Sequence, residues 1–152
     1  MTMTKNKKLK LFAETIKDLK VISTLCQDSV GVTSNMKWHR KDKIFSMIIN
    51  RMMWEATQEN ISNGDSPLRS QSILLFRWIN SVKSRGFSPK DGSKYFSLLN
   101  ISYDELKSSN QVRLIFSVGL EIILEVEYLE VFLQDISNAY PSKTEKLPRH
   151  EI

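Results

Sequence analysis

Few residues in this 152-residue chain are able to do chemistry, and they are spread thinly. There are two histidines, His39 and His150, and one cysteine, Cys26. His39 stands beside Arg40 in "MKWHRKDK", on the polar side of an alternating stretch, and a general base there would need an orienting partner that the sequence does not identify. Cys26 falls on the apolar side of a helical repeat, where a thiol behaves as a small hydrophobe. No His-x-x-x-His, Cys-x-x-Cys or clustered Asp/Asn loop occurs, so no metal site is expected. The five glycines form neither a G-x-G-x-x-G nor a Walker pattern, so no cofactor is expected. There remains an acidic row, Glu121, Glu125 and Glu127. Alternate strand positions put it on one face at about 7 Å per two residues, as a catalytic pair or cation site would require. The simpler expectation is a solvated face paired with Lys or Arg from a neighbouring strand.

Residues suited to binding are more numerous. Arg51, Trp54, Arg77, Trp78, Lys83 and Arg85 form a basic and aromatic set of the kind found in interface hot spots and in anion contacts. "IFSMIINRMMW" is apolar at both parities, with Ile44, Ile48 and Met52 on one face and Met47, Ile49 and Met53 on the other. Such a strand is either covered on both sides or offers one side to a partner.

The net charge of +5 is unevenly placed. Lys5, Lys7, Lys8 and Lys10 account for four of those charges, which leaves residues 11–152 at +1. The basic arm suits an electrostatic tether or a solvated terminus. A lone cysteine permits no disulfide within the chain. No apolar run reaches the roughly 20 residues of a membrane span, and no apolar segment follows the N-terminal lysines. A cytoplasmic protein without membrane contact is expected.

Hydropathy periods then place these residues on elements. "LKLFA" (9–13) reads as a strand. Ile16, Leu19, Ile22 and Leu25/Cys26 recur at helical spacing behind Thr15, a capping residue with Asp18 three positions on. Residues 30–39 alternate as a strand with Val30, Val32, Met36 and Trp38 on one face, and after a turn at 40–43 "KIFSMIINRMMWE" (43–55) returns as its hairpin partner. The segment 57–71 reads as a long loop and the expected contact loop. Residues 72–86 read as one long strand, followed by a strand at 95–103 and a hairpin around Val118-Gly119. Leu129, Phe132/Leu133 and Ile136 have the spacing of a closing helix. The expected organisation is a flexible basic arm (1–8), a single α+β domain (9–138) and a disordered tail (139–152). The expected fold is a curled antiparallel sheet of about six to seven strands with an early helix and a C-terminal helix, similar to a pleckstrin-homology-like roll.

Five stretches, "LKLFAETIKDLKVISTLCQDSV", "MKWHRKDKIFSMIINRMMWE", "SVKSRG", "LLNISY" and "LEVEYLEVFLQDI", together resemble a small alphaproteobacterial family of single-domain proteins known only as a domain of unknown function. The resemblance covers about residues 9–138 and implies no activity, cofactor or catalytic residue. It directs attention to Asn50, Arg51, Trp54 and Glu55.

The functional expectation is a non-catalytic protein-binding or adaptor module, using Asn50, Arg51, Trp54, Glu55, Arg77, Lys83 and Arg85, with self-association open. One alternative is RNA or anion binding through the lysine arm and the surface arginines, which should depend steeply on salt. A further alternative is a small enzyme built on the glutamate row.

Overall fold

The computed structural model describes residues 8–54, 68–87, 92–106 and 108–141. Its elements in chain order are β1 (Lys10–Ala13), α1 (Ile16–Cys26), β2 (Ser29–Val32), β3 (Met36–His39), β4 (Ile44–Met52), β5 (Leu68–Phe76), β6 (Ile79–Arg85), β7 (Tyr95–Glu105), β8 (Asn110–Phe116), β9 (Glu121–Val126), β10 (Val131–Asp135) and β11 (Tyr140–Pro141). Each of their ladders is antiparallel.

Two pairs of these strands are single ribbons bent at a corner. β5 runs into β6 through Arg77 and Trp78, and β9 runs into β10 through residues 127–130. The ribbons stay paired around the bend. Phe76 faces Val131 and Ile79 faces Val126, while the Arg77 N–H donates to the Glu130 carbonyl (3.0 Å) and the Glu127 N–H to the Trp78 carbonyl (2.9 Å). Trp78 takes a φ of 64° to make the turn. The ladders from β10 through β5, β4, β2, β7 and β8 to β9 therefore lead back to the ribbon on which they began. Closure of this kind satisfies backbone groups that an open sheet would leave at its edges.

α1 fills the one long gap. Thr15 caps it, its hydroxyl accepting from the Asp18 N–H at 3.1 Å, and Leu19, Ile22 and Cys26 enter the same core as the strand residues. Beyond Leu98, β7 has no ladder among the described residues except with β8. There Ser23 on α1 supplies the missing acceptor, its Oγ taking the Ile101 N–H at 2.9 Å and donating to Asn100 Oδ1 at 3.1 Å.

The expected α+β roll of six to seven strands with a C-terminal helix is overturned. The protein is mainly one large antiparallel sheet of eleven strands, and among the described residues α1 is the single α-helix. Residues 131–135, expected within a closing helix, form β10. Val131, Leu133 and Asp135 point inward and Phe132 outward. A buried carboxylate and an exposed-side phenylalanine disguised a two-residue period as a helical one. The strand expected at 30–39 is likewise broken by a 3-10 turn at Thr33–Asn35. That turn reverses the phase, so Val30 and Val32 are only half-buried while Met36 and Trp38 pack against the core. The long strand expected at 72–86 is split by the corner at Trp78. Tyr140–Pro141, in the segment read as a tail, pairs with Arg69 and Leu68 of β5.

The doubly apolar β4 also has its answer. Phe45, Met47 and Ile49 are core residues, whereas Ile44 and Ile48 lie half-buried on the outer side. α1 packs its apolar side into the interior and so does not cover them.

Gly31 is buried where a side chain from β7 closes over the backbone. A Cβ there would lie 2.6 Å from the Phe96 ring tip and 3.0 Å from the Ile48 carbonyl, and Phe96 is itself held edge-on to Phe116 at 5.0 Å. Gly31→Ala is expected to cost about 1–3 kcal/mol through overpacking. An unchanged urea midpoint would contradict this placement of Phe96.

Candidate functional site

The inward row of β4 ends on a charge. After Phe45, Met47 and Ile49 comes Arg51, with 0% of its surface exposed. The next strand makes room for it, because the inward row of β5 begins with Ser70 and Ser72 before Leu74 and Phe76. Arg51 faces Ser70 in the ladder and reaches diagonally across β5 to Asp135 on β10. Its Nε donates to Asp135 Oδ1 at 2.9 Å and its Nη2 to Oδ2 at 3.0 Å, a bidentate pair. Ser72 Oγ donates to Oδ1 at 2.6 Å, and the Leu9 N–H to Oδ2 at 3.0 Å. One carboxylate thus ties β4, β5, β10 and the entry to β1 together.

Electrostatics at this point are set by burial and by those donors. Burial pushes the Asp135 carboxyl up, but the hydrogen bonds from Arg51, Ser72 and Leu9 outweigh it and hold the carboxyl below its ordinary value. Burial pushes the nearby Cys26 thiol up to about 12, Arg51 opposing and Asp135 reinforcing the shift. Cys26 therefore stays a protonated core residue at neutral pH, without nucleophilic character.

The neighbouring candidates fasten the same end of the sheet. Tyr140 Oη donates to Asn50 Oδ1 (2.8 Å), Arg69 Nη1 to the Asn50 carbonyl (2.9 Å), and Trp54 Nε1 to the Gln27 carbonyl (3.0 Å). Asn50, Arg51 and Trp54 are thus brought together, with Arg51 sealed from solvent. Glu55 and residues 57–67 of the expected contact loop lie outside the described residues. Arg77 sits apart at the corner, 3.2 Å from Glu130 Oε1 and 5.3 Å from the centre of the Trp78 ring, while Trp78 Nε1 donates to Glu130 Oε2. Lys83 and Arg85 are exposed on β6 opposite Ile123 and Glu121. Of the expected binding residues that are described, Asn50, Arg51 and Trp54 stand at the end of β4, whereas Arg77 stands at the corner and Lys83 and Arg85 on β6. Of the lysine arm, Lys8 and Lys10 are exposed; Lys5 and Lys7 lie outside the described residues.

Two glutamates of the row stand beside cations. Glu121 lies 3.8 Å from Arg113, and Glu127 is paired with Lys43. Glu127 also borders a shallow cleft of about 560 Å³ with Glu14, Tyr103, Glu105, Asn110 and Tyr128, beside the start of α1. Its wall is largely solvated: Glu14, Glu105 and Tyr128 are exposed. His39 is exposed on β3. Among the described residues no group of three His, Cys, Asp or Glu side chains is placed to hold a metal, and no helix is long and apolar enough to cross a membrane.

Another surface extends the second apolar face expected of β4 onto strands where residue types did not point to it. On the outer side of the sheet, Phe12, Phe132, Leu75 and Ser46 stand in one cross-strand row, and Lys10, Gln134, Ile73 and Ile48 in the next. Phe12 is 43% exposed with its ring 4.8 Å from that of Phe132. Phe132, Leu75, Ile73, Ile48 and Ile44 are half-buried beside it. α1 does not lie over this stripe. The available signal was the apolar second parity of β4, which β5 and β10 repeat.

The chain belongs to the family described as a protein of unknown function (DUF2948), which matches residues 9–150. Neither a curated protein nor a solved structure matches it.

Removing one member of the buried pair strands the other. Arg51→Met is expected to destabilise the protein by about 3–5 kcal/mol, and Arg51→Met/Asp135→Leu to return part of that loss, as read by urea unfolding. A single variant costing under about 1 kcal/mol would contradict the assignment. The pH dependence has a definite sign. Because the folded Asp135 carboxyl is depressed, its stabilisation is fully present above the unfolded value of about 3.9 and is lost as pH falls through the folded value. Asp135→Asn should therefore lose less stability than wild type between pH 5 and about pH 3; equal losses would contradict the depression.

Proposed function

Within a family that carries no assigned activity, we propose that this chain is a non-catalytic protein-binding module. Its contact surface is the outer face of β1, β10, β5 and β4, and its partner is a different protein. The observation that carries the reading is the apolar stripe of Phe12, Phe132, Leu75, Ile73, Ile48 and Ile44, set across four strands in register, with α1, the α-helix among the described residues, packed on the other side of the sheet. Contiguous apolar surface is uncommon on a monomer except where something docks. Sheet faces with half-buried aliphatic rows suit packing against another protein element. The contact moves away from Arg51, because a guanidinium with no exposed surface has nothing to offer a partner.

Random peptide display against the immobilised protein tests this, with subtraction on an Ile48→Lys/Ile73→Lys variant. Both substitutions point outward, and far-UV circular dichroism would verify the variant's fold. Enriched peptides with an apolar core should bind the variant at least about tenfold more weakly, equivalent to about 1.4 kcal/mol. Peptides that bind both proteins alike, or no enrichment, would refute the reading.

A further inference from the structure

We infer that the partner presents an apolar segment flanked at both ends by carboxylates, an inference that rests on the protein-binding reading above. The argument is the charge on either side of the stripe. On the β1 side stand Lys8 and Lys10, both exposed, with Lys10 in register beside Gln134 and Ile73. On the β3 side stand Lys37, next to Ser46 in the same row as Leu75 and Phe132, and then Arg40 and Lys41 in the turn before β4. Among the described residues none of Lys10, Lys37, Arg40 and Lys41 is held in an ion pair. The acids nearby do not cancel them. Glu130 is engaged by Arg77 and Trp78 at the corner, which leaves Asp42 in the turn and Glu14 past the end of β1.

This arrangement selects among occupants. A second copy docking face to face would bring cation flanks against cation flanks, because an isologous contact places the same patch on both sides. A basic partner meets the same repulsion. Nucleic acid would use the cations but leave a mostly aliphatic centre without bases to stack. An anionic membrane would prefer apolar side chains that project, whereas Phe12 alone among the six is exposed; Ile44, Ile48, Ile73, Leu75 and Phe132 are half-buried in the sheet surface. An acidic-flanked apolar segment satisfies both features. The flanks lie four strand spacings apart, about 19 Å, which a helix of about 13 residues spans.

Two synthetic 16-residue amphipathic peptides sharing one apolar face, one with glutamates and one with lysines at both ends, serve as probes. The glutamate-flanked peptide should bind wild type at least tenfold more tightly in low salt, with the ratio shrinking as salt rises. Lys10→Glu/Lys37→Glu, folded by circular dichroism, should reverse the order. Equal binding of the two peptides to wild type and to the charge-reversed variant, still lost in Ile48→Lys/Ile73→Lys, would overturn this inference and leave the protein-binding reading standing. Binding of neither peptide, together with retention on vesicles containing phosphatidylserine, would overturn both.

Discussion

The sheet is organised around a charge it cannot expose. A fully buried guanidinium is tolerable only with a carboxylate in good geometry and with the carboxylate's remaining lone pairs occupied. Arg51 and Asp135 meet those conditions by drawing three strands into one register. Arg51 comes from β4, Asp135 from β10, and the two small serines of β5 lie between them. The Leu9 N–H then fixes where the chain enters β1. A slip of one residue in any of these ladders would turn a charged partner outward, so the pair specifies register more than it adds stability.

The same pair explains what was legible in the sequence. α1 was readable because its apolar spacing and Thr15 cap are local features, and so was the β8–β9 hairpin around Val118-Gly119. β10 was not, because its inward row includes an aspartate, and burial of Asp135 depends on Arg51, 84 positions away. The phase reversal between β2 and β3 was hidden for a similar reason. Gly31 faces inward only because the Phe96 ring from β7 occupies the space a side chain would take. Asn50, Arg51 and Trp54, expected as binding residues, each make internal hydrogen bonds, which residue type and spacing alone do not reveal.

Closure of the sheet also decides which surface is left for function. Inward rows and α1 consume most of the large apolar residues, and two of the three glutamates, Glu121 and Glu127, lie beside Arg113 and Lys43. What the architecture leaves unexplained is the outer stripe running from Phe12 to Ile44, apolar where a solvated sheet face would be polar. A rigid inner lock and an apolar outer face are compatible roles for the same strands, because successive residues of β4, β5 and β10 point in opposite directions.

The central claim, that Arg51 is sealed inside as the lock of the sheet, is tested most directly by hydrogen exchange followed in ¹⁵N-edited spectra at neutral pH. The Arg51 Hε and the Leu9 amide should be protected together with the amides of β4 and β5. Exchange of both within the dead time, while those strand amides stay protected, would show that the pair opens to solvent and that Arg51 is available as a contact residue after all.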